Sequence, residues 1–275
     1  MKQETKNIAV VSSNPENGFF AHLLWAIQEE SLETLYDIEI YFMMSAMKKG
    51  GPDYLYKKIA REQKASAVIS IAHQMGVKFI KMLMEEGIVP VLIDSRARGV
   101  HSINTNNKKG SYDAVKYLLE TGKKKIGLVI GDNINVDVQK ERFEGYKKAL
   151  EEKSIAFKDN LVWNVKNFNY SDGKEAFRFM ISSDVDAVFC AAGDYVAHGF
   201  LSEARKQHVD VPGNIALIGF DDIEMSADTG LTTVRQPLDE MGKEAFRMAV
   251  AAIENSGLPP QEKVLENTLI IRETA

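Results

Sequence analysis

A chain of 275 residues, 45% hydrophobic and 27% charged, has the composition of a soluble globular protein and enough length for two packed lobes. Its net charge of -5 offers no basic footprint, so the chain by itself is not expected to hold nucleic acid. A single cysteine, Cys190, excludes an internal disulfide, and no apolar run approaches the roughly 20 residues needed to span a bilayer. The opening residues MKQETKNIAVV carry no apolar export signal, which makes a cytoplasmic protein the default expectation.

Residues 7–12 read as a buried strand. A polar turn, Ser13-Asn14-Pro15-Glu16-Asn17-Gly18, leads into a helix marked by Phe20, Leu23, Leu24 and Ile27 at helical spacing. The unit then repeats: strand 38–42, helix 54–62, strand 67–71, helix 77–86 and strand 89–93. After a crossover strand at 102–105 comes a helix with Ala114, Val115, Leu118 and Leu119 on one face, closed by Gly122. A second series follows: strand 126–130, helix 141–152, strand 161–165, helix 173–181, strand 186–190, helix 195–206 and strand 215–220. A short segment at 231–235 stops at Gln236 and Pro237, a helix occupies 239–254, and a strand at 268–272 ends the chain. Strands alternating with helices predict parallel sheets covered on both faces.

The stretch 209–241 carries the most information. Residues 215–220 are apolar without alternation, as in a strand buried on both faces, and they end on Asp221 and Asp222. Those carboxylates stand at the carboxyl end of a central strand, the edge where open α/β sheets place ligands.

The order Gly219-Phe220-Asp221-Asp222, Leu231-Thr232-Thr233-Val234, Gln236-Pro237 and Met241-Gly242 resembles the signature of the effector-binding core of LacI/GalR-type bacterial transcriptional regulators. Asn17-Gly18-Phe19-Phe20, the run 110–122, Arg142-Phe143-Glu144-Gly145-Tyr146 and Leu269-Ile270-Ile271-Arg272-Glu273-Thr274 match the same pattern. The resemblance covers essentially the whole chain. It implies a type I periplasmic-binding-protein-like α/β fold of two doubly wound parallel-sheet lobes joined by three crossovers, near Gly122, Arg235 and Gly257. One lobe would comprise 1–122 with 236–258, the other 123–235 with 259–275. It further implies a small-molecule effector in the interlobe cleft, a homodimer, and operator DNA reached only through an N-terminal helix-turn-helix missing here, since nothing before Lys6 could form one. Removal of that reader from the sequence is the favoured reading, natural absence the other. Neither a cofactor nor a metal is expected, and no membrane partner.

On this resemblance Arg142 reaches the effector, and its planar fork of donors suits vicinal hydroxyls, ring oxygens, a carboxylate or a phosphate. Asp221 accepts from neighbouring hydroxyls or ring N–H groups. Phe19 and Phe20 supply a flat apolar wall, as does Phe168, where the family places a stacking aromatic; plain core packing is the alternative for each. Asp194 either contacts the ligand or caps the following helix, the cap being favoured. Ser12, Ser13 and Asn14 either bind ligand or cap the first helix. Thr105 is a further candidate, standing with Asn106 where the family often has Asp-Asn, and Gly193 sits where an asparagine is frequent. A sugar or sugar derivative is the expected effector. A sugar-binding protein of a transport or chemotaxis system is the alternative. An enzyme is not expected, because Asp221, Asp222, Glu224 and Asp228 lack a neighbouring histidine or metal-ligand spacing. Phe79, Met82 and Leu83 on the helix at 77–86 offer a candidate dimer patch, with core burial as the competing explanation.

Overall fold

A computed structural model describes residues 6–13, 17–62, 65–132 and 137–275. In chain order the elements begin with β1 (Lys6–Ser12), α1 (Gly18–Ser31), β2 (Tyr36–Phe42), α2 (Met43–Met47), α3 (Gly51–Glu62), β3 (Ala65–Ile71), α4 (Val77–Glu85), β4 (Val89–Ile93) and β5 (His101–Thr105). Next come α5 (Asn107–Glu120), β6 (Ile126–Gly131), α6 (Asp137–Glu152), β7 (Val162–Val165), α7 (Tyr170–Ser182), β8 (Ala187–Cys190), α8 (Asp194–Lys206), β9 (Ala216–Asp221) and α9 (Glu224–Asp228). The chain closes with β10 (Thr232–Arg235), α10 (Leu238–Glu254), β11 (Glu262–Leu265) and β12 (Thr268–Ile270). No helix among the described residues is long and apolar enough to cross a membrane.

Two compact units divide these elements: Met1–Thr105 with Pro237–Leu265, and Asn106–Gln236 with Glu266–Ala275. The first unit's sheet has the order β11-β5-β4-β3-β1-β2, with every neighbouring pair parallel. The second has β12-β10-β9-β8-β6-β7, parallel except where β12 runs against β10. Both are doubly wound, with strand order reversing beside the first strand of each series.

In the second unit the alternation of side chains across the sheet builds two cores. Ala187, Phe189, Ala216, Ile218 and Phe220 face α5 and α6, packing with Leu118, Tyr146 and Ala149. Val188, Cys190 and Leu217 face the other way, onto Phe177, Met180, Val196 and Phe200 of α7 and α8. Every residue of β9 is buried, as its unbroken apolar run predicts. Cys190 is a free, buried thiol.

Three features depart from the sequence reading. The first and third divisions fall after Thr105 and Leu265 rather than near Gly122 and Gly257, while the second, after Gln236, lies beside the expected Arg235. Helix α5 therefore belongs to the second unit, against whose core Ala114, Val115 and Leu118 pack, while 259–265 stays with the first because β11 pairs with β5. The short elements α2, α9 and β11 were not anticipated. In β11 only Leu265 is buried, so the strand shows no hydrophobic alternation. Finally, α4 offers no patch of the expected kind: Phe79 and Leu83 are buried and Met82 packs against the same core, with the Phe79 ring 5.0 Å from that of Tyr56.

Helices α7 and α8 meet backbone to backbone. A Cβ on Gly173 would lie 1.9 Å from the Val196 carbonyl oxygen, and one on Gly199 would lie 2.0 Å from that of Tyr170. Neither obstacle is a flexible side chain, so the helices would have to separate and loosen the core beneath them. Gly173→Ala and Gly199→Ala are each expected to destabilise the protein by more than about 2 kcal/mol. Urea unfolding midpoints measure this, and a value near the native midpoint for both would contradict the packing.

Candidate functional site

Arg142 emerges from the buried face of α6 and is only 4% exposed. Its Nε donates to Asn107 Oδ1 at 2.7 Å, its Nη1 donates to the Ala191 carbonyl at 2.8 Å, and its guanidinium carbon lies 3.7 Å from the centre of the Phe220 ring. The partners are an amide, a peptide carbonyl and an aromatic face. The cation is thus oriented at the carboxyl ends of β8 and β9 by groups that do not neutralise it.

Asp221 closes β9 and is 7% exposed, with a positive φ of 117° that turns the chain out of the sheet. Its Oδ1 accepts from Gln236 Nε2 at 2.8 Å, and its carbonyl accepts from Gln236 N at 3.2 Å. Gly193 makes room for it: a Cβ there would stand 2.8 Å from Asp221 Oδ2, and the glycine's φ of 109° is one that side chains disfavour. The structure therefore brings Arg142 and Asp221 to adjoining strand ends, where both charges act on the thiol of Cys190. Asp222 faces other partners, lying 2.7 Å from Arg235 Nε and 2.8 Å from Arg272 Nη1.

Asp194 has a different job from either one expected. Gly193 is the N-cap of α8, so Asp194 does not cap it. Fully buried, its Oδ2 accepts from Ser226 Oγ at 2.7 Å and Ile223 N at 3.3 Å, and its Oδ1 accepts from Thr233 Oγ1 at 2.7 Å. These bonds spend the carboxylate on tying α8 to α9 and β10, and they remove Asp194 from the ligand-binding candidates. Burial and the neighbouring charge of Asp221 push its pKa up, against the pull of the two hydroxyls. One turn along α8, His198 shares Ser226: Nε2 lies 3.2 Å from Ser226 Oγ and Nδ1 lies 3.4 Å from Thr229 Oγ1. Burial, helped by Arg205, lowers the His198 pKa to about 4.

Phe168 stands near the end of β6, half-buried at a φ of 53°. A Cβ on Gly131 would come 2.5 Å from its ring tip, so that glycine lets the aromatic lie across the strand end. Gln139, one turn before Arg142 on α6, accepts from Gly131 N at 3.1 Å.

In the first unit Phe19 is buried and Phe20 half-buried, their rings edge-to-face at 5.2 Å with the N-cap Asn17 bonded to Phe19 N. Asn17, and not Ser13, caps α1. Ser13 is half-buried just beyond β1, and Asn14 lies outside the described residues. Ser12 Oγ is buried without a hydrogen-bond partner among the described residues. Thr105, the last residue of β5, is fully buried. Other polar residues occupy the same sheet edge: His73 stacks on Tyr56, whose hydroxyl is 3.2 Å from Ser70 Oγ, and Asp94 and Ser95 are buried at the end of β4.

The sequence reading missed Asn107, Gln139, Ser226 and His198, and gave Gln236 no role. The Asp194-to-His198 spacing of one helical turn was the available signal for the α8 pair. Asn107 and Gln236 carry no such signal, since their partners are distant in sequence.

A family model described as a periplasmic binding protein-like domain matches residues 115–275. The chain is 26% identical over 280 residues to the HTH-type transcriptional regulator RegA of Clostridium saccharobutylicum, covering 99% of this chain and 82% of that protein. It is likewise 26% identical over 279 residues to the HTH-type transcriptional repressor PurR of Escherichia coli, covering 98% of this chain and 80% of PurR. Among solved structures, a complex of the transcriptional regulator CelR with cellobiose aligns with a TM-score of 0.86 at 26% identity, over 98% of this chain and 84% of that one. The regulator CcpA of Lactococcus lactis aligns at 0.89 with 21% identity, over 99% and 100% of the two chains. A LacI family regulator of Enterococcus faecium with bound ribose aligns at 0.87 with 22% identity, over 98% of each chain. These last two share the fold.

The His198 network yields a pH dependence. The folded pKa of about 4 lies below the ordinary 6.5, so the unfolded chain takes up a proton first and stability from this group is lost as pH falls from about 6.5 to 4. Asp194, with its pKa raised, contributes the opposite slope, so the test compares the native protein with His198→Gln. The native protein is expected to lose on the order of 3 kcal/mol more than the variant across that interval, as read by urea unfolding. Equal losses would show that His198 titrates normally.

Proposed function

The chain belongs to the periplasmic-binding-protein-like family and is the effector-binding core of a LacI-type transcriptional regulator, and we propose that its effector is a sugar or sugar derivative. Regulators of this family bind small-molecule effectors and operator DNA and are not enzymes. The observation that carries the proposal is the pair formed by the Arg142 guanidinium and the Asp221 carboxylate at adjoining strand ends. Nη2 of Arg142 supplies donors to ring or hydroxyl oxygens, and Asp221 accepts from hydroxyls. A polyol satisfies both at once because each hydroxyl donates and accepts.

Phe168, Phe19 and Phe20 supply apolar faces for the C–H side of a sugar ring, and Ser13 supplies a further polar contact. Asp194 has no part in the grip. The solved relatives with bound cellobiose and bound ribose support the sugar class. Binding favours one arrangement of the lobes, and that preference passes to a helix-turn-helix of the kind for which RegA and PurR are named.

The active unit is a homodimer. We propose as its contact surface the edge strand β2 and the adjoining α2, where Ile40, Met44 and Met47 are 43%, 61% and 64% exposed. Apolar side chains grouped at a sheet edge favour a self-complementary contact.

Two measurements check these readings. Calorimetric titration with ribose, glucose and cellobiose is expected to find a binder, with Arg142→Ala and Asp221→Ala each weakening it by at least about 10-fold through the loss of a buried charged hydrogen bond. Unchanged affinity in both variants removes the site assignment. For the dimer, sedimentation of Met44→Glu/Met47→Glu is expected to give a monomer at concentrations where the native chain is paired, and a native monomer would refute the assignment.

A further inference from the structure

The ligand-gripping pair is bonded to the points where the chain passes from one unit to the other. The first division lies between Thr105 and Asn106, and the second between Gln236 and Pro237. Arg142 Nε is bonded to Asn107, the second residue beyond the first division, and that asparagine is completely buried. Asp221 is bonded through both side chain and main chain to Gln236, the last residue before the second, itself 2% exposed. The two contacts span 35 and 15 residues of sequence, so neither follows from local chain geometry. The third division, between Leu265 and Glu266, is tied to the first, because Asn106 Nδ2 donates to Glu266 Oε1 at 3.3 Å.

We propose that Asn107 and Gln236 are positioning residues that convert occupation of Arg142 and Asp221 into a movement of the chain crossovers. The inference rests on the effector-site reading above and adds the route by which that site is coupled to the lobes. A ligand hydroxyl donating to Asp221 draws on the same carboxylate that holds the Gln236 amide. A ligand oxygen on Nη2 pulls against a guanidinium whose neighbouring Nε holds Asn107. In both cases the shared group is one hydrogen bond from a crossover and is buried enough that water cannot replace a bond that lengthens. A residue that only supported the site would affect affinity. One that relays occupancy affects the conformational response at saturation.

The test separates those effects. The whole chain is titrated with ribose and cellobiose by calorimetry, and small-angle X-ray scattering records the ligand-induced change in radius of gyration at saturation. Asn107→Ala and Gln236→Met are each expected to keep the dissociation constant within about 5-fold of native while reducing that change by at least half, and the double variant to abolish it. A full response at saturation in the double variant, whatever its affinity, overturns the proposal.

If neither sugar binds the native chain, the sugar reading has failed, and the relay is judged by hydrogen exchange without ligand. Arg142→Lys is then expected to speed exchange of amides 105–108 selectively, and Asp221→Asn that of the Arg235, Gln236 and Leu238 amides. Acceleration spread evenly over the second unit, or none at either crossover, overturns it.

Discussion

A guanidinium removed from water must have its fork of donors satisfied in fixed directions, and the way Arg142 meets that demand organises the second unit. Asn107 Oδ1 takes one edge, the Ala191 carbonyl takes another, and the Phe220 ring covers the face. These partners come from α5, the end of β8 and the end of β9, so the registers of three elements must agree before the charge can be buried. The chain supports that agreement elsewhere. Helix α6 approaches α5 closely enough that a Cβ on Gly145 would lie 2.3 Å from the Lys108 carbonyl, and Tyr146 beside it bonds to the Ile126 carbonyl at 2.7 Å. Helix, glycine and arginine are thus parts of one constraint, and Arg-x-x-Gly-Tyr is its trace in the sequence.

Asp194 does for the other side of the strand ends what Arg142 does for this one. Its carboxylate gathers Ser226, Ile223 N and Thr233, fixing the β9–α9 loop against β10. Gly219 is part of the same arrangement, since a Cβ there would fall 2.0 Å from Asp194 Oδ1. Asp221 leaves β9 through this loop, so its strained φ of 117° is held by bonds made two residues downstream. A buried carboxyl with a raised pKa, at a strand end, has the outward marks of a reactive group. Here those marks belong to a structural tie whose donors are all internal.

The α/β alternation was readable along the chain because buried parallel strands leave unbroken apolar runs and their helices leave a 3.6-residue period. Elements failed to register where burial is slight or length too short for a period. Strand β11 buries Leu265 alone, and α2 and α9 are single turns. Gly122, at φ 93°, is a true helix terminus and hence looks like a lobe boundary in the sequence, although α5 belongs to the second unit. The boundary lies at the other end, before the Asn106 cap. At the site, Arg142 and Asp221 were legible through motif and strand-end position. Asn107 and Gln236 were not, because a hydrogen bond between residues 35 or 15 positions apart leaves no periodicity. The opposite error befell Asp194 and the α4 patch. Asp194, expected as a helix cap or a ligand contact, and the α4 residues, which core burial explains as well as a dimer patch does, are spent in contacts that only packing reveals.

The two units repeat a plan, yet their strand ends differ in chemistry. In the second, β8 and β9 terminate beside a fixed cation and a fixed anion. In the first, β1, β3 and β4 terminate in Ser12, His73, Asp94 and Ser95, with Tyr56 and Ser70 beneath them. Burial lowers the His73 pKa, which favours a neutral ring at physiological pH. On the second unit the donor and the acceptor have directions set by buried bonds. Rejecting an analogue that lacks one hydroxyl requires an acceptor that cannot turn elsewhere, and Asp221 is held in place by Gln236 and by the absent side chain of Gly193.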